Sequence, residues 1–520
     1  MKDDILDAAS RRKLFLSPDA LEIIDSNGYP MEMVNTMLNA MAGNKMFVTK
    51  EDVIDFLNGD KALFEKEKTA KPRNKRDLDI EIVPGSDITG NSTCEGTIQD
   101  FTAYFRSRYN LLKRIISSHK DFTMSTSIAH AMQFDRQVNI VGMVYEVRQS
   151  QKGHTILTVE DETGTCNVLI KKDSPYADNI YINDEVIGIT GKKMERGTLF
   201  VADKVVRPDI SKRHTWEVSD STSSVAFLSD IHIGSKEFLK TSWERMISWL
   251  KANAYDMGLN YIVMPGDVVD GIGAYPGQEA DLEIDDIYRQ YETLAEYVKE
   301  IPDDIKIILH PGNHDACRLA EPQPAISEMY AHGFDSNVTL TGNPIRLKIE
   351  GRKVTSYHGK SIDDFISAVR GMSYDDPLAV MREMALRRHL APMYGMRNAL
   401  APEKKDYLVM EEEPDIFVSG HVHGAGTMEY HGVKMINAST WQAQTDYQAM
   451  HNFNPRPLHH ADRRPGHRQG RHEELHEVIA AAAWQSKMKE WGRRPRKGFQ
   501  KSSCSARIQM MMKAPKMSMP

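Results

Sequence analysis

The stretch "FVSGHVHGAG" at residues 417–426 is an apolar run that ends in two histidines surrounded by glycines. Side chains two positions apart in an extended segment project to the same side, so we expect His421 and His423 to point toward one place. The glycines let the backbone turn sharply after the strand. Taken alone, such a pair is more typical of a tight turn than of a metal site. The choice between the two depends on the other strand ends of the chain.

Four earlier apolar runs end in the same way, namely "VAFLSD", "YIVMPGD", "IKIILHPGNHD" and "KVTSYHG". Near-continuous apolar runs are typical of strands that are covered on both faces, and functional residues gather where such strands give way to loops. Five strand ends in a row therefore supply Asp, Asn or His side chains at the same kind of position. The candidates are Asp230, His232, Asp267, Asn313, His314, His358, His421 and His423.

These side chains predict a metal centre that hydrolyses phosphoesters. Mixed oxygen and nitrogen ligands suit Mn, Fe or Zn better than Ca or Mg. So many ligands are too many for one transition-metal ion, but they suit two ions that share a carboxylate. Two such ions about 3.5–4 Å apart can hold a hydroxide and orient an in-line displacement at phosphorus.

The ordered set resembles the calcineurin-like metallophosphoesterases, whose signature runs DxH, GD, GNH(D/E), H and GHxH. The resemblance implies an α/β (α+β) sandwich with two divalent transition-metal ions, for which we expect Mn²⁺, with Fe or Zn as alternatives. By position, Asp230, His232 and His423 would bind one ion. Asn313, His358 and His421 would bind the other, and Asp267 would bridge the two. His314 would protonate the leaving oxygen, and Asp315 is expected to orient His314.

The pattern along the chain predicts five segments. Residues 1–60 form a small helical module, and residues 61–100 form a flexible basic and polar linker. Residues 101–210 form a helix and an all-β OB-fold barrel, because short alternating strands follow one another within about seventy residues. Residues 221–457 form the metallophosphoesterase domain, and residues 458–520 form an atypical basic tail.

The barrel, "RRHLAPMYG" at residues 387–395 and "NASTWQAQTDYQ" at residues 437–448 resemble the small subunits of archaeal family D DNA polymerase. The resemblance covers nearly all of residues 1–457. It implies a metal-dependent 3′–5′ exonuclease that proofreads DNA 3′ ends beside a large catalytic subunit. The small subunits of eukaryotic replicative polymerases share the architecture but have lost metal ligands. This chain, by contrast, keeps a residue of the ligand type at every ligand position.

Two arginines between the fourth and fifth strand ends allow two interpretations. Arg387 and Arg388 follow the helical stretch "DPLAVMREMAL", where they could contact DNA phosphates. They could equally form a solvated helix end, because cations are favourable there.

The composition is that of a protein without a membrane span, and no apolar run approaches the roughly 18 residues that one needs. Four scattered cysteines and an N-terminus that is not a signal peptide predict a reducing, cytoplasmic setting. The net charge of −7 is uneven. Residues 458–520 contain 14 Lys and Arg against 5 Asp and Glu, a net of +9, so the preceding residues carry −16. This tail differs enough from the rest to indicate either a shifted reading frame or a basic DNA-contacting segment.

Two other functions remain open at this point. One is a phosphoesterase that acts on proteins, nucleotides or other small phosphates, because the metal pattern names no substrate. The other is a non-catalytic scaffold that bridges a polymerase to other replication proteins. The complete ligand set argues against the scaffold, since scaffolding needs no such residues on five strand ends.

Overall fold

The computed structural model describes most of the chain. The described residues are 2–26, 31–41, 47–50, 52–54, 56, 78–120, 122, 124–194, 199–216, 221–450, 455, 457 and 483–484. Within these residues no helix has both the length and the apolar character that a bilayer crossing requires.

The N-terminal residues form a small helical module. It contains α1 (Lys2–Arg11), β1 (Phe15–Leu16), α2 (Pro18–Ser26), α3 (Met31–Met41) and β2 (Phe47–Val48). The two short strands pair in parallel. Its own core includes Ile5, Ile24, Leu38 and Val53, which are all buried. The module therefore has an apolar centre separate from those of the following domains.

The predicted linker differs from the structure in its second half. Residues 61–77 lie outside the described part of the chain, but β3 (Ile80–Ile82) pairs antiparallel with a strand of the main domain. Farther along, the Asp87 carboxylate accepts a hydrogen bond from the main chain of Gly342 (3.1 Å). The Ser92 hydroxyl donates to Glu403 (2.5 Å). The prediction of a loose segment is thus wrong from residue 78 onward, because main-chain pairing and polar contacts hold it against the domain.

A long helix and a closed barrel follow. Helix α4 (Ile98–Ser117) begins at a capping box formed by Thr97 and Asp100, and the short α5 (Ile128–Ala131) leads into the barrel. The barrel strands are β4 (Val138–Gln149), β5 (Thr155–Asp161), β6 (Gly164–Ile170), β7 (Val186–Lys193) and β8 (Leu199–Val206). They close in the order β4-β5-β6-β8-β7. The predicted small five-stranded barrel is confirmed.

Two sheets form the centre of the remaining chain. The first contains β9 (Ser224–Phe227), β10 (Leu259–Pro265), β11 (Lys306–His310) and β12 (Val338–Leu340), paired in parallel. The second contains β13 (Ile345–Ile349), β14 (Arg352–Ser356), β15 (Ile416–Ser419), β16 (Ala425–Tyr430) and β17 (Val433–Ala438), together with β3. Its strand order is β16-β17-β15-β14-β13-β3.

The two sheets pack face to face with helices outside. Phe227 and Val263 of the first sheet share an apolar cluster with Leu347 and Val418 of the second. Helices α6 (Lys240–Asn253) and α7 (Ile287–Lys299) cover the other face of the first sheet. Helices α9 (Ile362–Ala368) and α10 (Pro377–Arg387) cover the second. Helices α8 (Glu328–Ala331) and α11 (Asp446–Met450) are short. The result is a four-layer helix–sheet–sheet–helix arrangement, and the predicted mixed α/β class is confirmed.

The basic tail contributes one described element. Strand β18 (Ala483–Trp484) pairs antiparallel with Val225 and Ala226 at the edge of the first sheet. Two residues of the predicted atypical tail thus extend the first sheet by a short strand. Every other residue from 458 to 520 lies outside the described part of the chain.

Candidate metal centre

The polar strand ends of both sheets meet at one edge of the sandwich. Strands β9, β10 and β11 lead into Asp230, Asp267 and Asn313, and β14 and β15 lead into His358 and His421. Strands β9, β10 and β11 run parallel to one another in the first sheet, as do β14 and β15 in the second, so the carboxyl ends of each set lie at the same edge. The residues that the sequence predicts as ligands are thus brought together from both sheets.

One cluster consists of Asp230, His232 and His423. The Nε2 atoms of the two histidines lie 3.0 Å apart. The Asp230 Oδ1 atom lies 3.5 Å from His423 Nε2 and 4.0 Å from His232 Nε2. All three residues are buried. Two ring nitrogens and a carboxylate oxygen therefore face one small volume.

A second cluster consists of Asp267, His358 and His421. His358 Nε2 lies 3.2 Å from Asp267 Oδ2 and 3.1 Å from Asn313 Oδ1. The same Asp267 Oδ2 atom lies 4.0 Å from His232 Nε2 in the first cluster. Asp267 therefore lies between the two clusters, as its predicted bridging position requires.

Five of the seven predicted ligands have a left-handed backbone. Their φ angles lie between 48° and 70°, and the residues are Asp230, His232, Asp267, His421 and His423. A side chain with a Cβ atom is strained in this region, and such strain clusters at functional sites. This observation about the backbone supports a functional role for the strand ends independently of the side-chain chemistry.

Glycines permit the close approach of the loops. A Cβ atom on Gly312 would lie 2.2 Å from Asp267 Oδ1, and one on Gly420 would lie 2.3 Å from Asp230 Oδ2. Both distances are far below van der Waals contact, so neither position accepts a larger residue without moving a carboxylate. The glycines in "PGNHD" and "SGHVH" thus have a steric function at this site.

The charges of the site depend on one another. Burial opposes ionisation of Asp267, but His358 and the neighbouring histidines outweigh it and hold the pKa of this carboxyl well below its usual range. Burial also opposes protonation of His358, yet the adjacent Asp267 raises the pKa of that ring to about 10. In His421 and His423 burial prevails and lowers the pKa. The carboxylates are therefore ionised near neutral pH, which is the state that a cation requires.

The outer nitrogens of the histidines are held by acceptors. His358 Nδ1 donates to the carbonyl of Pro265 (2.9 Å), so Nε2 is the nitrogen that faces Asp267 and Asn313. His421 Nε2 lies 3.2 Å from the Asp363 carboxylate, which leaves Nδ1 for a ligand. His232 Nδ1 lies 2.8 Å from Asp270 Oδ1. Contacts of this kind fix the ring orientation of metal-binding histidines.

The donor set fits a pair of divalent transition-metal ions. Buried nitrogens and carboxylate oxygens converge in two adjoining groups, and Asp267 lies between the two groups. Imidazole with carboxylate is the ligand combination of Mn, Fe and Zn sites. The predicted grouping of Asp230, His232 and His423 on one side agrees with the geometry, as does that of Asn313, His358 and His421 on the other.

Comparison with known proteins places this geometry in a family. Residues 225–425 match the family model of the DNA polymerase alpha/epsilon B subunits, so all seven predicted ligands and His314 lie inside the match. The chain is 42% identical to the DNA polymerase II small subunit of Archaeoglobus fulgidus over 482 residues, which cover 89% of this chain and 97% of that protein. The chain belongs to the DNA polymerase II small subunits.

Other members of the family are similar over a shorter length. The DNA polymerase II small subunit of Thermoplasma acidophilum is 39% identical over 75% of this chain and 79% of its own length. That of Methanothermobacter thermautotrophicus is 38% identical over 73% of this chain and 80% of its own length. The predicted resemblance to these subunits is therefore confirmed at the level of the family.

Asp315 does not have the contact that the sequence predicted. His314 Nδ1 donates to the main-chain carbonyl of Asp270 (2.7 Å). The Asp315 carboxylate instead accepts hydrogen bonds from the Gly312 amide (2.8 Å) and the Tyr291 hydroxyl (3.0 Å). Burial and the nearby Asp267 raise the pKa of Asp315 to about 6. Asp315 thus holds the loop together, and the prediction that it orients His314 is wrong.

The predicted DNA contacts at Arg387 and Arg388 are also wrong. The Arg387 side chain is 1% exposed and forms ion pairs with Glu383 (2.6 Å) and the barrel residue Glu185 (3.0 Å). Arg388 donates to the carbonyl oxygens of Met410 (2.7 Å) and Glu411 (2.9 Å). Both guanidinium groups are buried among acceptors of this chain, so a phosphate cannot reach them without unfolding the region.

Sequence reasoning missed Asp270 and Gln442. Besides holding His232, the Asp270 carboxylate accepts hydrogen bonds from Gln442 (3.0 Å) and Gln278 (3.0 Å). Asp270 follows Asp267 by three residues in "GDVVD". A second carboxylate so close to a predicted ligand was an available signal. Gln442 belongs to "NASTWQAQTDYQ", where the Trp441 amide and the Thr440 hydroxyl also donate to the carbonyl of Asp230 (both 2.9 Å).

Proposed function

We propose that this chain is the proofreading 3′–5′ exonuclease of a two-subunit archaeal DNA polymerase and that it hydrolyses phosphodiesters at DNA 3′ ends. The observation that carries the proposal is the pair of adjoining ligand clusters that meet at Asp267, with His314 beside them. The His314 amide donates to Asp267 Oδ1 (2.8 Å), which fixes this histidine next to the shared carboxylate. Phosphodiester hydrolysis needs this combination of anion-stabilising cations and a proton donor.

The proposed fold follows from the same features. The four-layer arrangement, with ligands at the carboxyl ends of strands from both sheets, supports a calcineurin-like metallophosphoesterase fold. The closed barrel with a β4-β5-β6-β8-β7 order supports an OB-fold.

We assign Asp230, His232 and His423 to one ion and Asn313, His358 and His421 to the other, with Asp267 shared. Mn²⁺ is the expected ion, and Fe or Zn are the alternatives. A bound pair of such ions supplies a hydroxide at neutral pH and stabilises the negative charge on the phosphate. The chain itself provides the fixed carboxylates and the oriented imidazoles.

The role proposed for His314 is to donate a proton to the leaving O3′ atom. Its Nδ1–H is held by the carbonyl of Asp270, so Nε2 is the nitrogen that remains to face the leaving oxygen. The Nε2 proton is then the one available to the leaving oxygen, and a positioned acid of this kind typically contributes about 10²–10⁴ in rate.

We further propose that the chain acts in a complex with a large catalytic subunit of the same polymerase and with DNA. The relatives are named small subunits, and a small subunit implies a larger one. The part of the chain before residue 458 has a net charge of −16, so it is expected to bind DNA poorly without a partner.

The test is a nuclease assay with the full chain, alone and with the large subunit, on 3′-labelled primers with a terminal mismatch. The expected result is release of mononucleotides from the 3′ end in Mn²⁺ and not in EDTA, with higher activity in the complex. Hydrolysis of a small phosphomonoester without DNA cleavage would instead indicate a non-DNA phosphoesterase. Complex formation with no hydrolysis of either substrate would indicate a scaffold.

A further inference from the structure

A tyrosine stands beside His314 on the loop that follows Asp270. Residues 271–277 read "GIGAYPG", and their first residue lies only one position after the aspartate that contacts both His232 and His314. The ring centroids of Tyr275 and His314 are 6.4 Å apart, with the planes inclined by 60°. Ile272 on the same loop is 49% exposed. An aromatic ring thus lies next to the proposed proton donor on a segment that faces solvent.

The loop is anchored at both ends to groups of the site. Gln278 donates to the main-chain carbonyl of Asp270 (2.8 Å) and accepts from the Ala274 amide (2.8 Å). The Gly271 amide donates to Gln290 (2.9 Å). The Tyr275 hydroxyl donates to the Asp281 carboxylate (2.8 Å). Because of these contacts, the ring has a defined place relative to His314 before any substrate arrives.

We infer that Tyr275 is a substrate-positioning residue that stacks against the base of the penultimate nucleotide of a single-stranded DNA 3′ end. The inference rests on the proposed function. In 3′–5′ hydrolysis, water attacks the phosphorus of the last linkage, the bond from phosphorus to O3′ breaks, and His314 protonates that O3′. This oxygen belongs to the penultimate nucleotide, so the base one sugar ring away is the one that comes near Tyr275.

Stacking on an aromatic ring suits a proofreading site because every base has a π face, so the contact is tolerant of sequence. Removal of such a ring costs about 1–3 kcal/mol per base, which corresponds to roughly 5- to 100-fold weaker binding. A frayed, unpaired 3′ end can offer its base to the ring, whereas a paired end keeps the base in the duplex. Tyr275 would thereby favour melted ends over paired ones.

The experiment places the fluorescent base 2-aminopurine at the penultimate or the terminal position of a 3′ single strand. Binding to the full chain, in EDTA so that no cleavage occurs, is followed by fluorescence and by titration. The expected result is quenching at the penultimate position by the wild type and by Tyr275→Phe, and loss of that quenching with about 5- to 100-fold weaker binding in Tyr275→Ala. Unchanged quenching in Tyr275→Ala, or quenching only at the terminal position, would overturn the inference.

Two controls separate stacking from loop structure. Asp281→Asn and Tyr275→Phe both alter the hydroxyl anchor and keep the ring, so a purely structural role predicts that both behave like Tyr275→Ala. Tyr288→Ala removes another exposed tyrosine, one that packs against Tyr330 on a different element, and should bind DNA like the wild type. Equal weakening in Tyr288→Ala would also contradict the inference.

A kinetic measurement distinguishes this inference from the proposed function. A strand with an abasic penultimate nucleotide should be cleaved more slowly by the wild type through a higher KM, and Tyr275→Ala should cleave the two strands alike. An absence of cleavage by the wild type would refute the exonuclease function, whereas the fluorescence result in EDTA would stand by itself.

Discussion

Asp267 has contacts in both halves of the site. Its Oδ2 atom approaches His358 and His232, while Oδ1 accepts from the His314 amide. The histidines hold its pKa low despite complete burial. Removal of this carboxylate therefore leaves several buried imidazoles without their common partner. Its effect on cation binding should exceed that of substituting a residue at the periphery of the site.

We predict that Asp267→Ala abolishes nuclease activity and lowers the Mn²⁺ content of the purified chain, while the folded core persists. The reason is that both proposed ions lose a shared anionic ligand. Metal content by mass spectrometry and far-UV circular dichroism provide the measurements, with the exposed Asp335→Ala as the matched control. Near-normal hydrolysis with unchanged metal content in Asp267→Ala would end the two-ion hypothesis.

His314 provides a second prediction at this scale. His314→Ala should retain two metal equivalents and lose about 10²–10⁴ in turnover, because the role we propose for the residue is that of a proton donor and not of a ligand. The metal-to-protein ratio and kcat are to be measured together, with the exposed His332→Ala as the control. Loss of one metal equivalent would make His314 a ligand instead.

Helix α10 shows how an element can use charge for structure. Its last residue, Arg387, reaches Glu185 in the barrel and also donates to the Ile180 carbonyl (2.7 Å). Glu185 forms a further ion pair with Arg207 (3.1 Å). The contacts of Arg387 and Glu185 thus lie between the barrel and the sandwich, where truncation of one member leaves a buried charge.

We predict that Arg387→Ala lowers the free energy of unfolding by about 3–5 kcal/mol, because it breaks a buried ion pair. The matched control is Arg382→Ala on the same helix. The Arg382 side chain is 46% exposed and its guanidinium lies 3.3 Å from the Glu383 carboxylate, so its loss should cost less than about 1 kcal/mol. Urea denaturation measures both. A stable Arg387→Ala with a reduced salt dependence of DNA binding would restore the DNA-contact interpretation.

The connection after the barrel contains a pH-sensitive contact. His214 lies 3.1 Å from Asp415 and 3.3 Å from Glu413 through its two ring nitrogens, and these carboxylates raise the pKa of the ring to about 9. A histidine with a raised pKa stabilises the folded state fully below its unfolded pKa of about 6.5. That contribution disappears as the pH rises through 9.

We therefore predict that the free energy of unfolding falls by about 1–2 kcal/mol between pH 6.5 and 9.5 because of His214, less than for a fully buried pair since water reaches the ring. In His214→Gln this part of the fall should be missing. Thermal unfolding across the pH series is the measurement, and His332→Gln is the control. The same fall in His214→Gln as in the wild type would contradict the assignment.

Sequence patterns predicted the elements well where one physical rule dominates. Apolar runs that end in Asp, Asn and His identified the loops that converge at the candidate site, and alternating short strands identified the barrel. The errors arose where the contacts of a side chain depend on residues that are distant in the sequence. The sequence at a charged helix end such as Arg387 is the same whether the side chain is exposed to solvent or pairs with Glu185. Asp315 is the neighbour of His314 in the sequence, but the fold brings the carbonyl of Asp270 to His314 instead.

On the scale of the whole molecule, buried polar contacts join the barrel, helix α4 and the sandwich. Arg108 of α4 pairs with Asp406 at 2.8 Å, and both side chains are fully buried. His389 contacts the same Asp406 carboxylate at 2.8 Å. Strand β3 extends the second sheet from the N-terminal side. The segment from residue 78 onward therefore belongs structurally with the core, whereas the N-terminal module has an apolar centre of its own.

We predict that residues 78–520 bind the large subunit as the full chain does, and that residues 97–520 are less stable. The second fragment lacks β3 and the contacts of Asp87 and Ser92, so one edge of the sheet loses its partner. Co-purification and melting temperature are the measurements. If residues 78–520 fold without binding, and the N-terminal module binds alone, docking belongs to the module.

The left-handed backbone at five predicted ligands has a consequence for how such a chain changes over many generations. Each non-glycine residue in that conformation costs about 1–2 kcal/mol, and glycine avoids the cost. A mutation of one of these aspartates or histidines to glycine would therefore raise the free energy of unfolding. A chain freed from selection on its side chains should lose them early. All five positions hold Asp or His, so this chain carries at each of them a backbone cost that glycine would remove.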